Sequence, residues 1–561
     1  MRRVLEASVF RSGRKKGQKG WIPYYIRDDK LIFESEFDDE LTSDILEEIK
    51  KVSKVNFGKE FNRNIDILSK FTNVKKIFFA EKFNQPIDFL PSSLELLVLG
   101  YRFNQRLDNL PSGLTYLRIN ENFNQPLNNL PESLEELHFE GYRSNCNYNY
   151  PLDKLPRSLR YLKLSGMYNY PLDNLPDGLK EMSLDLCYLF EPLDNLPENL
   201  EILRIGSLYD KTLNNLPKNL KELEFDINSE YNLPLDNLPR RLELLRLGSS
   251  YNQKLNNLPI SLKEIYFGVD YNQPIDLLPN SIKEITLKDF FNQSIDNLPN
   301  SIESIKFSEN CYFDKVINAY PANLKRISFS AMWYNQPLNN LPDNLVYLKY
   351  HGEHKIEKFP KSLKSLCLTG KYNNPLENLP DGLEYLFLGG AFNQNIDNLP
   401  DSIKIISFNG HSDFNQEIRK YPNSLIRLNF GFYFNQKLIN LPKSLRILTV
   451  DKSFNQSLDE VPDDIEKITI GNYYERDDDF RYHSADFNQP VTRLPRNLRY
   501  IFIKKEEWKK EEKSTIELFL DTIGPSYFNN RILFGKYHED EQNGVLDYDT
   551  AIINSISSNN Y

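Results

Sequence analysis

One sentence of about twenty residues is written over and over along this chain, and such a period admits very few folds. It reads Phe103-Asn-Gln-Arg-Leu-Asp-Asn-Leu-Pro111, then Phe123-Asn-Gln-Pro-Leu-Asn-Asn-Leu-Pro131, and much later Phe392-Asn-Gln-Asn-Ile-Asp-Asn-Leu-Pro400. The Leu-Pro step returns at Pro91, Pro111, Pro131, Pro156, Pro176, Pro197 and Pro217, and on to Pro442 and Pro495. A spacing of about 20 to 22 residues predicts a stack of near-identical turns. Function then belongs to the stacked surface, because a repeat array grows in one dimension whatever its length.

Within one unit the apolar residues are Leu94, Leu97, Leu99, Phe103, Leu107 and Leu110, and the next unit opens at Leu114. The Leu97-x-Leu99 alternation predicts one short strand per unit. Gly100 suits the bend that leaves the strand, as do Gly248, Gly268 and Gly471. Phe103 turns inward to stack on Phe83 and Phe123, with Tyr168, Tyr251 and Tyr271 replacing it elsewhere. Asn104, repeated as Asn84, Asn124, Asn252, Asn292 and Asn393, is expected to bond backbone groups of the adjacent turn. The Leu-Pro step predicts polyproline-like coil on the convex side. The expected fold is therefore a repeat solenoid with one short parallel strand per unit, a mostly coil convex side and small terminal caps.

At these residues the chain resembles the FNIP-repeat family, seen in Phe83-Asn-Gln-Pro-Ile87, Phe123-Asn-Gln-Pro-Leu127 and Tyr271-Asn-Gln-Pro-Ile275. Such proteins occur in amoebae and in the giant DNA viruses that infect them. The resemblance implies a leucine-rich-repeat-like solenoid and implies no defined activity. Some relatives carry an F-box ahead of the repeats, which makes them substrate receptors of ubiquitin ligases. Leu41-Thr-Ser-Asp-Ile-Leu-Glu-Glu-Ile49 faintly echoes the opening helix of an F-box, with Thr where proline usually stands.

The expected organisation is a basic flexible tail at 1–20, an N-terminal cap at 21–51, about 22 repeats across 52–505, and a C-terminal helical cap and tail at 506–561. In the first cap, Trp21 to Glu34 reads as a hairpin turning at Asp28-Asp29. A helix follows, started by Asp38 and Asp39, with Ile45, Leu46 and Ile49 as its apolar stripe. Glu506 to Leu520 reads as the closing helix. Longer units at 142–150 and 472–486 predict outward loops.

The composition excludes several classes. Among 561 residues 40% are apolar and 26% charged, with no uninterrupted run long enough for a membrane span. Met1-Arg-Arg-Val-Leu-Glu lacks a secretory core, so a cytoplasmic protein is expected, in the host cytoplasm if viral. Cys146, Cys187, Cys311 and Cys367 are scattered without a zinc or disulfide spacing. A net charge of -10 argues against nucleic acid, although a basic stripe could hide on one face. No phosphate loop, HExxH or nucleophile elbow occurs. His351 and His354 read as loop polarity after a strand, and the column Asp108, Asp173, Asp194, Asp236 as turn-stabilising. No enzyme, cofactor or metal is expected, and a monomer is.

The residues between the core leucines point to the concave sheet surface. One column reads Arg118, His138, Lys163, Ser183, Arg204, Glu224, Arg246, Tyr266, and its neighbour Tyr116, Glu136, Tyr161, Glu181, Ile202, Glu222, Leu244, Glu264. Rows of Arg, Tyr and Glu suit a protein partner. The same columns soften toward the C-terminus (Ser365, Cys367, Ile405, Ser407, Ile447, Thr449), which places the expected site in the N-terminal half. The alternatives are a solvated face of mutually satisfied charges, a ligase receptor with a degenerate F-box, and a structural virion component.

Overall fold

A computed structural model describes residues 22–141, 148–189, 191–471, 487–503 and 533–534. The tail expected at 1–20, most of the loop at 142–150, the loop at 472–486 and the helix from Glu506 fall outside the described residues. Two compact units are present, Met1–Gln273 with Leu277–Ile282, and Pro274–Asp276 with Lys283–Tyr561.

The first unit carries a thirteen-stranded sheet. Its strands are β1 (Tyr24–Ile26), β2 (Lys30–Phe33), β3 (Lys54–Asn56), β4 (Lys76–Phe78), β5 (Leu96–Val98), β6 (Tyr116–Asn120), β7 (Glu136–Glu140), β8 (Tyr161–Tyr168), β9 (Glu181–Leu189), β10 (Ile202–Ile205), β11 (Glu222–Phe225), β12 (Leu244–Arg246) and β13 (Glu264–Tyr266). The second carries a twelve-stranded sheet. It comprises β14 (Glu284–Leu287), β15 (Ser304–Phe307), β16 (Arg326–Phe329), β17 (Tyr347–His351), β18 (Ser365–Thr369), β19 (Tyr385–Leu388), β20 (Ile405–Phe408), β21 (Arg427–Asn429), β22 (Ile447–Val450), β23 (Lys467–Ile470), β24 (Tyr500–Ile503) and β25 (Leu533–Phe534). Strand order follows chain order in both sheets, which is the parallel solenoid of about 22 turns that the period predicts.

β1 and β2 are antiparallel and joined through Asp28 and Asp29, both at positive φ (48° and 61°), the geometry of a two-residue hairpin turn. β2 then pairs in parallel with β3. Between them lies α1 (Ser43–Ile49), which buries Ile45 and Ile49 while Leu46 is only half-buried. Thr42 precedes the helix, and Asp44 is the acid of its first turn. Asp38, expected to start the helix, instead accepts the Asn62 N–H at 2.9 Å.

That contact is the first of a long series. The Asn84 Oδ1 accepts the Asn104 N–H at 2.9 Å, and the Asn104 Oδ1 accepts that of Asn124 at 2.8 Å. The series runs again from Asn373 through Asn393, Asn415, Asn435 and Asn455 to Asn488. Beside it the rings stack, Phe83 to Phe103 at 6.1 Å and Phe103 to Phe123 at 6.3 Å, all fully buried. In several units a second ring, from the strand end, packs on the first, as Phe79 does on Phe83 at 3.7 Å.

Three details depart from expectation. The Leu-Pro segment closes in a hydrogen-bonded turn rather than in plain polyproline coil, with the Leu114 N–H donating to the Pro111 carbonyl at 3.1 Å. Next to it the serine hydroxyls of Ser133, Ser261 and Ser281 each donate to a leucine carbonyl one turn back. Gly100 and Gly268 are needed for stacking, not for the bend. A Cβ on either would lie within 1.8 Å of a carbonyl oxygen of the preceding turn, and neither has positive φ.

Replacing Asn104 by Ala leaves the Asn124 N–H without its acceptor, at a cost of about 1–3 kcal/mol. Hydrogen exchange at the Asn124 amide should accelerate accordingly, while amides of distant rungs keep wild-type rates. Uniform acceleration along the chain would contradict a locally acting ladder.

Candidate interaction surface

Parallel register brings the two expected columns onto one face. Tyr116 lies beside Glu136, then Tyr161, Glu181, Ile202, Glu222, Leu244 and Glu264. Arg118, His138, Lys163, Ser183, Arg204, Glu224, Arg246 and Tyr266 form the second row in the same pairs. The leucines between them are buried, so in β6 the side chains of Leu117 and Ile119 enter the core and Tyr116, Arg118 and Asn120 do not.

At β6–β8 the face is aromatic. The His138 ring sits 4.7 Å from that of Tyr116 and 4.6 Å from that of Tyr161, bridging the columns, and its Nε2 lies 3.1 Å from a Glu136 carboxylate oxygen. Burial pushes the imidazole below its ordinary pKa, outweighing Glu136. Burial also raises the Tyr161 phenol to about 12. Lys163 pairs with Glu140 at 2.9 Å. The Arg118 Nε is buried with no acceptor among the described residues.

From β9 onward charges answer one another. The Arg204 guanidinium bonds Glu181 and, at 3.1 Å, Glu224. Arg246 donates to Glu224 at 2.8 Å and lies 4.1 Å over the Tyr266 ring, whose hydroxyl donates to Glu264 at 2.7 Å. Burial and the neighbouring Glu224 push the Glu222 carboxyl up. Asp185, two residues beyond Ser183 along β9, accepts from the Ser183 hydroxyl at 3.0 Å and is raised by burial.

A third column was not anticipated. The residue before each strand often alternates Lys and Glu by rung, so that one carboxylate serves two cations. Glu201 accepts from Lys180 at 2.8 Å and Lys221 at 2.6 Å, which together hold its carboxyl down to about 2. Glu384 lies likewise between Lys364 and Lys404. Comparing the residue before each strand across units would have found it.

The acidic column is tied across turns, with Asn129 Nδ2 donating to Asp108 at 3.1 Å and Asn195 Nδ2 to Asp173 at 3.1 Å, and Asp108 also accepts from Arg106 within its own turn. His351 ends strand β17 instead of following it, because its backbone pairs with Thr369, and its Nδ1 lies 3.1 Å from the Thr369 hydroxyl. His354 Nε2 contacts the Asn335 carbonyl. Among the described residues no group of three His, Cys, Asp or Glu could hold a metal ion, and no helix is long and apolar enough to cross a membrane.

The FNIP Repeat family profile matches residues 83–109, 103–142, 231–270, 251–290, 271–310, 353–391, 392–433 and 434–473. The chain carries eight FNIP repeats. Among solved structures it is similar to CroV588, a circular leucine-rich-repeat protein of the giant virus CroV, at 28% identity and a TM-score of 0.63 over 86% of each chain. YopM from Yersinia enterocolitica is similar at 20% identity and a TM-score of 0.41, over 71% of this chain and 87% of that one. The mouse RP105/MD-1 complex matches at 11% identity and a TM-score of 0.41, covering 78% and 92%. No curated protein sequence matches. FNIP repeats thus build a leucine-rich-repeat-like framework, the general form of an interaction scaffold.

The depressed His138 carries a pH consequence. The unfolded imidazole takes its proton near its ordinary value of about 6.5, before the folded one does. Its contribution is therefore whole above that value and is lost as pH falls toward the folded pKa. His138→Phe keeps a ring between Tyr116 and Tyr161 and should lose less stability than wild type between about pH 7.5 and 5.5 in urea titrations. Equal losses would show that His138 is not the titrating group.

Proposed function

We propose that this FNIP-repeat chain is a non-enzymatic scaffold that binds a protein partner through the open face of β6–β13, in the setting of a giant virus or its amoebal host. The observation that carries the reading is the contrast along that face. From Arg204 to Glu264 most charges have partners of their own, which suits internal ties. Around Tyr116, Arg118 and Tyr161 there is instead a half-buried aromatic–imidazole stack beside a guanidinium nitrogen lacking an acceptor. Aromatic rings and arginine are the side chains that dominate binding energy at protein interfaces.

The test is a tagged pull-down from amoebal cells with mass spectrometry, comparing wild type with Tyr116→Ala/Arg118→Ala/Tyr161→Ala. Reversing Arg204 or Arg246 is unsuitable, because a new carboxylate there would join Glu181 and Glu224. The expected result is a protein prey lost in the triple variant while the variant keeps its circular dichroism spectrum. Recovery of ligase-adaptor proteins as that prey would specify a ubiquitin-ligase receptor. The same prey recovered by both proteins would rule out this face.

A further inference from the structure

The second unit presents the same two outward columns with a different sign. In β6–β13 they hold Arg118, Lys163, Arg204 and Arg246 against Glu136, Glu181, Glu222, Glu224 and Glu264, close to neutrality. In β14–β24 the cations are Lys306, Arg326, Lys349, Arg427 and Lys467, and the single carboxylate among the described side chains of these columns is Glu284, already paired with Arg326. Lys306 and Arg427 have no ion-pair partner among the described residues. Between the cations Ser328, Ser365, Ser407 and Thr449 are buried, while Tyr385, Phe387 and Ile405 are half-buried.

On the first rungs of this unit a second feature stands in the loops that follow the strands. Phe290, Tyr312 and Trp333 occupy equivalent places after β14, β15 and β16, and their rings stack at 5.6 and 5.8 Å, near parallel. They nevertheless remain 51%, 47% and 56% exposed, with Met332 exposed beside Trp333. Contiguous exposed apolar area of this kind marks interaction sites.

From these two observations we infer that the open face of β14–β24 docks an extended acidic polypeptide segment, whose apolar side chains cover the Phe290–Tyr312–Trp333 ridge. The chain as a whole is anionic, at -10, but charges beyond a Debye length of about 8 Å are screened in physiological salt, so the local sign decides. A single-stranded nucleic acid fits less well. Its bases need open ring faces to stack on, whereas Tyr312 already has a ring on each side, Phe290 and Trp333. Its regular phosphates would also meet Glu303, Glu384 and Glu466, which interrupt the cations before the strands. A peptide can place its carboxylates between those positions. This surface is separate from the face of β6–β13, and its fate does not depend on that reading.

The experiment is fluorescence anisotropy at low salt with the full chain and three labelled probes: a peptide of glutamates interspersed with leucines, polyglutamate of equal length, and oligothymidylate. The leucine-containing acidic peptide should bind best and weaken as salt rises. Lys306→Glu/Arg427→Glu should weaken both peptides about tenfold, a change of about 1.4 kcal/mol. Neither residue supports another in the fold, and matching circular dichroism spectra check this. Trp333→Ala should weaken only the leucine-containing probe, and the Tyr116→Ala/Arg118→Ala/Tyr161→Ala variant should bind all probes as wild type does. No binding of either peptide, oligothymidylate binding at least as tightly, or unchanged affinity in Lys306→Glu/Arg427→Glu would each overturn the proposal.

Discussion

No turn of this solenoid can satisfy its own polar groups, and everything else rests on the bonds it makes with the next turn. A coil segment of about sixteen residues separates most strands from the next, and coil backbone packed away from water needs partners. The strands use the ordinary parallel ladder. The coil uses side chains: Asn104 and its equivalents on one side of the ring column, Ser133 and its equivalents near the leucine that opens each unit, Asn129 to Asp108 at the outer corner. Where the repeat spells Asp instead of Asn the bond persists, as when Asp38 serves Asn62 or Asp314 serves Asn335.

With the backbone satisfied, burial supplies the driving force. Phe103 contributes about 1.5–3 kcal/mol by burial, and each aromatic pair about 0.5–1.5 kcal/mol beyond that. Turns approach so closely that Gly100 and Gly268 have no room for a Cβ. The strand face is then the place where sequence is free to vary. Two chemically different surfaces have been written there on one framework, a near-neutral one with an aromatic start and a cationic one with an aromatic ridge.

Much of this was legible because the repeat is its own alignment. Superposing Phe83, Phe103 and Phe123 foretells the ring column, and Leu97-x-Leu99 foretells which residues line the open face. Three things were not. Ser133 looks like turn filler until the Leu114 carbonyl is seen beside it. Gly100 and Gly268 seemed to serve a bend, and only the distance to the preceding carbonyl reveals steric need, whereas Gly471, at a φ of 81°, does have the bend's positive φ. The cationic face was hidden twice, once by a net charge averaged over the whole chain and once because Ser365, Ser407 and Thr449 drew notice away from Lys306, Arg326 and Arg427 in the same columns.

The coil ladders also have a direction. In each of them the later turn donates and the earlier turn accepts: Asn124 N–H to Asn104, Ser133 hydroxyl to Leu114, Asn129 amide to Asp108. A ribosome delivers the turns in that same order. Each emerging unit therefore brings these coil donors to acceptors already held in place. The bonding pattern is in effect an assembly sequence, with the N-terminal hairpin as its template.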